Sequence, residues 1–405
     1  MTLKILLLQQ YYFPEMAGGA RRAMELSEQF VKNKHTVTVL TSFPREFRSM
    51  PGFGAKEYEI LNKVTVIRKN TIFNVGRNVI FRMLSYFMYV VNSFIYIVQN
   101  KKKYDILISM APLPSAIAPA LANKIYKIPH HFDVPDILPD LGISAGMISN
   151  RWMIYWLYKL EKWVYNNSDT ISTITQGQFD NINNKGISKK KLICISGWID
   201  DQYFSHNLKL FKDEISKLIN YPNKKIISFI GNIGALQNPE IFLDIMSLFY
   251  SEGNNEVVFL FIGDGIMLPY LKKITLSKKL DNVKFIGRLH KKYIPAVMER
   301  SDILVANYVT DEHLELYIPL KLIEYANSDT PIIIGARGDS KNFIEKYQLG
   351  IATSPSDIIG FKESIIKVLG DEYNHEPKTS RFREDYSIDN VIKNYNLIFK
   401  KNLKK

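Results

Sequence analysis

The segment Ser301–Gly335, SDILVANYVTDEHLELYIPLKLIEYANSDTPIIIG, reads as strand, long loop, helix and strand. Ile303–Tyr308 and Pro331–Ile334 are short apolar runs of the kind that fill parallel strands buried on both faces. Pro319 suits the first position of the intervening helix, because a proline there loses no hydrogen bond. Lys321 then falls in the first turn, where a cation opposes the helix dipole. An anion held there by the free backbone N–H groups would offset that cost. Glu324 lies three residues on, so both side chains project from one face. A cation for phosphates and a carboxylate for a vicinal diol, one turn apart, would grip a sugar nucleotide. An exposed i,i+3 ion pair is the alternative reading of the same spacing.

The same alternation extends on both sides of this segment. Lys225–Ile230, Val257–Gly263 and Val283–Ile286 read as strands, and Pro239–Tyr250, Met267–Lys279 and Tyr293–Arg300 as helices. The first half repeats the pattern: a strand at Lys4–Gln9, an amphipathic stretch from about Ala20 to Asn33, and strands at Thr36–Thr41, Val64–Arg68 and Asp105–Ser109. A helix over Asn150–Asn166 precedes a strand in SDTISTIT, and KKLICISGWID closes the half. Two successive β/α halves predict an α/β protein of two doubly wound, Rossmann-like domains facing across a cleft. The boundaries fall at 1–203 and 204–387, with a charged linker over Asp200–Lys225. A last helix, about 388–405, is placed to return to the first domain.

A chain of 405 residues is too long for one ordinary core. The single cysteine, Cys194, excludes an internal disulfide framework and a cysteine-rich metal site. Met1-Thr2-Leu3-Lys4 runs directly into the first strand, so no signal segment is expected. The net charge of +13 is uneven: residues 1–200 hold 25 Lys+Arg against 14 Asp+Glu, and residues 201–405 hold 28 against 26. An anionic membrane surface or a pyrophosphate-lipid fits that asymmetry, as does a drift of composition toward lysine. Nucleic acid is not expected, since none of its usual binding motifs is present. Val79–Val98 is strongly apolar but interrupted by Arg82, Ser85, Asn92 and Ser93. It reads as a helix packed on the sheet or resting on a membrane surface rather than crossing one.

Three glycine loops follow predicted strands: Gly18-Gly19, ahead of Arg21 and Arg22, then Gly231 and Gly234, then Gly263 and Gly265. Glycine at such a place allows close backbone approach to phosphate or sugar. None is a complete GxGxxG, which argues against a nicotinamide cofactor. HHFDVPDILPDLG (His130–Gly142) gathers His130, His131, Asp133, Asp136 and Asp140. Carboxylates beside histidines suit general-base work, helix caps and turns, or less readily a metal. No Asp-x-Asp pair of a metal-dependent sugar-nucleotide enzyme is present, and no metal is expected.

In order, FPEMAGGARRAMELSEQFVKNKHTVTVLT, DVPDILPDLG, LEKWVYNNSDTIS, FIGNIGALQ, FIGDG, NVKFIGRL and IPLKLIEYANSDTPIIIG resemble glycosyltransferase family 4 over nearly the whole chain. The match is to the fucosaminyltransferase-like branch of O-antigen and capsule biosynthesis. The resemblance implies a GT-B fold with its site between the domains. It also implies a retaining transfer from a nucleotide-sugar, UDP-linked in preference to GDP-linked, with no required cofactor. The implied acceptor is a polyprenyl-diphosphate-linked lipid or a glycan. The implied location is the cytoplasmic face of the bacterial plasma membrane, against its anionic surface.

Residue by residue, the resemblance places Glu324 on the donor ribose and Lys321 on its phosphates. Gly231, Asn232, Gly234, Gln237, Gly263, Gly265, Arg288, Pro319 and Leu320 complete the donor side. Asn232 and Gln237 stand where many relatives carry Arg and Lys, and the branch commonly has Asn and Gln there. Leu316 occupies the place of the family's first glutamate, with Glu315 one residue out of phase, so that pair is broken. Asp133 and Asp136 match an acidic-x-x-Asp motif and are the catalytic candidates beside Lys321. Leu138 and Pro135 depart from the residues around that motif. Gly18, Gly19, Arg21 and His131 fall on the phosphate-loop and acceptor side. Asp329-Thr330 departs from a Gly-x before proline. A nucleotide-sugar epimerase of the same architecture and a non-catalytic partner subunit are the competing readings.

Overall fold

The structure is a computed structural model describing residues 2–15, 18–44, 54–71, 79–144 and 146–403. It divides into two units, Met1–Ser196 with Val391–Lys405, and Gly197–Asn390. The strands of the first are β1 (Lys4–Leu8), β2 (Thr36–Ser42), β3 (Tyr58–Leu61), β4 (Val64–Lys69), β5 (Ile106–Met110), β6 (His130–Val134), β7 (Thr170–Thr173) and β8 (Leu192–Cys194). They lie in the order β3-β4-β2-β1-β5-β6-β7-β8, parallel except for β3 against β4. The helices between them are α1 (Gly18–Lys32), α2 (Val79–Gln99), α3 (Pro114–Tyr126), α4 (Asp140–Ser144), α5 (Arg151–Asn166) and α6 (Gln176–Asn184). The direction of winding reverses between β1 and β5, which makes their carboxyl ends the switch point of this sheet.

The second unit begins with α7 (Asp201–Leu218) and continues through β9 (Lys225–Ile230), α8 (Glu240–Ser251), β10 (Val257–Ile262), α9 (Leu268–Ser277), β11 (Val283–Gly287), α10 (Ile294–Arg300) and β12 (Ile303–Asn307). Then come α11 (Leu320–Tyr325), β13 (Ile332–Gly335), α12 (Gly338–Tyr347), β14 (Gly350–Thr353), α13 (Ile358–Leu369) and α14 (Thr379–Asp385). A final helix, α15 (Ile388–Leu403), carries the chain into the first unit from Val391 on. The six strands are parallel in the order β11-β10-β9-β12-β13-β14, with the switch point between β9 and β12. The run VVFLFI of β10 shows why such strands are apolar throughout. Val257, Phe259 and Phe261 enter one core layer, while Val258, Leu260 and Ile262 enter the layer on the opposite face.

Three expectations change. The charged segment after Asp200 is a helix rather than a linker. The Asp200 side chain caps it by accepting from Tyr203 N at 2.9 Å, and Ile215 is buried beneath it. The two units accordingly part at Ser196/Gly197, ahead of this helix. Gly18 and Gly19 form the first turn of α1 rather than a loop. Pro319 is the N-cap of α11, with an extended ψ of 142°, rather than its first helical residue.

Candidate active site

At the switch point of the second unit, the chain leaves β9 through Gly231 at φ +127°. A Cβ there would lie 3.3 Å from Lys321 Cε and 3.4 Å from its Nζ. Gly263, following β10, has φ +142°, and a Cβ on it would fall 1.9 Å from the Gly231 carbonyl oxygen. One on Gly265 would fall 2.3 Å from the Ile233 carbonyl oxygen. These glycines let two strand ends and their loops close on one another, a packing that no side chain would permit. Gly234 N–H donates to Gln237 Oε1 at 3.2 Å, while Asn232 and Leu320 are exposed. Arg288 is exposed just beyond β11.

Lys321 stands beside these loops. Its Nζ is buried without a hydrogen-bond partner among the described residues and sits 3.8 Å from the centre of the Phe229 ring. Burial pushes its pKa down to about 7, with the charge of Glu324 working the other way. A buried ammonium with no acceptor is costly unless an anion arrives to pair with it. Glu324 does not form the i,i+3 pair that spacing allowed. It is exposed, and its Oε1 lies 3.6 Å from Lys291 Nζ. Lys291 was not anticipated; it belongs to the loop after β11 and is brought here only by the fold.

A cavity of about 210 Å³ opens beside the start of α11, lined by Gln237, Tyr308, Glu315, Tyr317, Pro319 and Arg337 among others. Its walls come from the segments after β9, β12 and β13, the carboxyl ends at which open α/β sheets bind ligands. The Tyr308 hydroxyl is buried without a hydrogen-bond partner among the described residues. Glu315 lines this cavity although it is out of phase with the expected glutamate. Leu316 ends the single helical turn Leu314–Leu316, so the turn rather than sequence spacing decides which residue faces inward.

In the first unit Asp133 and His131 are wholly buried. Arg22 donates to both Asp133 oxygens, at 2.9 and 3.4 Å, and Ser172 Oγ donates at 2.6 Å. Burial alone would raise the Asp133 pKa, but the Arg22 charge and hydrogen bonds leave it lowered. Both ring nitrogens of His131 meet hydroxyls, Thr170 at 2.9 Å and Ser172 at 3.0 Å. Burial holds that imidazole neutral, with its pKa near 4. Neither residue offers an atom to an acceptor as expected; they hold Arg22 and the sheet. Asp136 is exposed just past β6, its pKa raised by the protein around it, with Arg22 opposing. Arg21, the arginine favoured from sequence, makes an exposed pair with Glu25 at 2.6 Å. Gly19 packs where a Cβ would lie 3.1 Å from Gln9 Nε2, at the switch point of this sheet. Among the described residues no cluster of three or more metal-ligating side chains is assembled.

Two family models cover most of the chain. Glycosyltransferase Family 4 matches residues 16–203, and Glycosyl transferases group 1 matches residues 211–388. A curated relative, WcaI of Escherichia coli (strain K12), described as a colanic acid biosynthesis glycosyl transferase, is 23% identical over 310 residues. That match spans 74% of this chain and 75% of the relative. Among solved structures, Anabaena HepE in complex with UDP and glucose superposes with a TM-score of 0.69 at 13% identity, covering 98% of this chain and 99% of that one. Sucrose-phosphate synthase from Thermosynechococcus elongatus reaches 0.73 at 15% identity, covering 98% of each chain. The fold is therefore GT-B, and the chain is a glycosyltransferase with a family 4 domain followed by a group 1 domain.

Proposed function

We propose that this glycosyltransferase moves a sugar from a nucleoside diphosphate sugar to a lipid-linked or glycan acceptor in bacterial surface polysaccharide biosynthesis, with retention at the anomeric carbon and without a metal. The donor is a UDP-sugar in preference to a GDP-sugar. The unpartnered Lys321 ammonium beside Gly231 carries this reading. The diphosphate lies against Lys321 and the backbone of the Gly231 and Gly263 loops. Glu324 takes the ribose hydroxyls, and the sugar enters the cavity lined by Glu315 and Arg337. The bond from the anomeric carbon to the phosphate oxygen breaks as the acceptor oxygen bonds to the same face. The acceptor proton passes to the departing phosphate, whose growing charge Lys321 stabilises by about 3 kcal/mol. Asp136 orients the acceptor hydroxyl. The reading belongs with the fucosaminyltransferase-like branch, whose work is done at the inner face of the plasma membrane.

A thermal-shift panel of UDP and GDP tests the donor side, since a ligand of the folded state raises its apparent stability by mass action. UDP is expected to give the larger rise, and no rise with either nucleotide would sink the reading. Glu324→Gln should weaken nucleotide binding by roughly 10-fold, the scale of one hydrogen bond to a charged group; unchanged binding would remove the ribose role. Asp136→Ala is expected to lower turnover with nucleotide affinity intact, and full activity would show that Asp136 does not meet the acceptor.

A further inference from the structure

The long helix α2 is apolar on its outer face as well as its inner one. Its buried stripe carries Ser85, Tyr89, Ser93, Tyr96 and Ile97, and its exposed stripe carries Phe81, Leu84, Phe87, Val91 and Ile95. Three of the inward hydroxyls are bonded: Tyr89 donates to the Leu40 carbonyl at 2.9 Å, Gln10 Nε2 donates to Ser85 Oγ at 3.3 Å, and the Tyr96 and Tyr104 hydroxyls meet at 2.7 Å. These bonds tie the helix to the sheet, so it does not cross a bilayer, although Phe81–Gln99 is apolar enough by composition. Outward, Leu84, Phe87, Val91 and Ile95 are exposed. Between α2 and α5 lies α3, which packs against both. On α5 the outward residues are Trp152, Tyr155 and Trp156, followed by Lys159 and Lys162. The Lys159 ammonium sits 5.4 Å from the centre of the Tyr155 ring.

Charge distinguishes between possible occupants. α2, α3 and α5 carry one acidic residue, Glu161, and it is buried against Lys185 at 2.8 Å. Arg82, Lys124, Arg151, Lys159 and Lys162 lie on the same helices, and Lys101-Lys102-Lys103 follow α2 after Asn100. A second copy of this face would bring cations against cations, with no exposed carboxylate to pair with them. An apolar stripe flanked by Trp, Tyr and lysine instead matches the interfacial zone of an anionic bilayer, where amphipathic rings lie at headgroup level and lysine meets lipid phosphate.

We propose that the outer faces of α2 and α5 form a docking surface that lies in the interface of an anionic lipid bilayer, with Phe87, Val91, Trp152 and Trp156 entering the acyl boundary. The inference does not depend on the identity of the donor. The purified full chain is mixed with vesicles of phosphatidylglycerol and phosphatidylethanolamine, or of phosphatidylcholine alone, and sedimented. Expected is co-sedimentation with the anionic vesicles and a blue shift of tryptophan emission. Phe87→Glu and Trp156→Glu replace exposed side chains, so melting temperature and nucleotide binding should persist. Each should reduce vesicle partitioning by about 10-fold or more, the scale of placing a carboxylate in the boundary. Replacing Lys101, Lys102 and Lys103 with Glu should remove the preference for anionic vesicles. The proposal is overturned if the wild-type chain stays in solution with anionic vesicles, or if the glutamate variants partition as it does. It is also overturned if size-exclusion chromatography shows a dimer that both variants disperse without any vesicle binding.

Discussion

Lys321→Met is expected to lose nucleoside diphosphate binding and at least ~10²-fold in kcat, while the empty protein becomes more stable at neutral pH. The two effects share one cause. The ammonium is buried without an acceptor, and burial lowers its pKa from 10.5 to about 7. The folded chain therefore binds fewer protons than the unfolded chain between those values, and its stability rises with pH across that window. The stability is present in full above pH 10.5 and is lost as pH falls toward 7. Methionine keeps the stem that packs over Phe229 and removes the charge. The gain in melting temperature over wild type should be largest at and below pH 7 and should vanish toward pH 10.5. An ordinary structural ion pair would behave in the opposite way: removing it would destabilise the empty protein. Lost turnover with a lowered melting temperature at pH 7 would mean that Lys321 supports the fold rather than the phosphates.

Arg22→Met should cost about 3–5 kcal/mol of stability, because it leaves a buried carboxylate without its cation. Asp133 keeps only the Ser172 hydroxyl among the partners described above. Its pKa, now held low by Arg22 against burial, should rise in the variant. The contribution to stability then changes sign. In wild type it is present above the unfolded carboxyl pKa and lost as pH falls through the folded one. In the variant a penalty grows as pH rises, so the difference between the two proteins is largest at neutral pH and shrinks in acid. Asp133→Asn in the Arg22→Met background should recover part of the loss. Urea midpoints as a function of pH measure both effects. A midpoint shift equal at acid and neutral pH would show that the arginine contributes packing alone.

The difference between these two cations explains how far the sequence could be read. Strand positions were legible because runs such as VVFLFI and IIIG are apolar throughout, as strands covered on both faces must be. The same property hid the facing of polar strand residues. In HHFDV every residue is buried, so nothing in the pattern distinguishes a carboxylate aimed at solvent from one sealed against Arg22. Arg21 and Arg22 are neighbours in sequence but lie about 100° apart around a helix. Only packing shows that the second points inward. Spacing placed Lys321 and Glu324 on one face, yet the ammonium turns in beside Gly231 and the carboxylate turns out toward Lys291. Glu315 reaches the cavity through a single helical turn that has no signature in the sequence. The helix α7 was missed because its charged residues read as a linker, whereas its cap and its buried Ile215 define it.

In the proposed function Lys321 receives the donor diphosphate. Titration calorimetry of UDP into the wild-type chain and Lys321→Met, at about pH 6 and about pH 9 on either side of the lowered lysine pKa, tests it most directly. Expected is binding by wild type that weakens at the higher pH, with proton uptake near neutrality, and its loss in the variant at both. Equal binding by the two proteins, or wild-type affinity that does not change with pH, would contradict it.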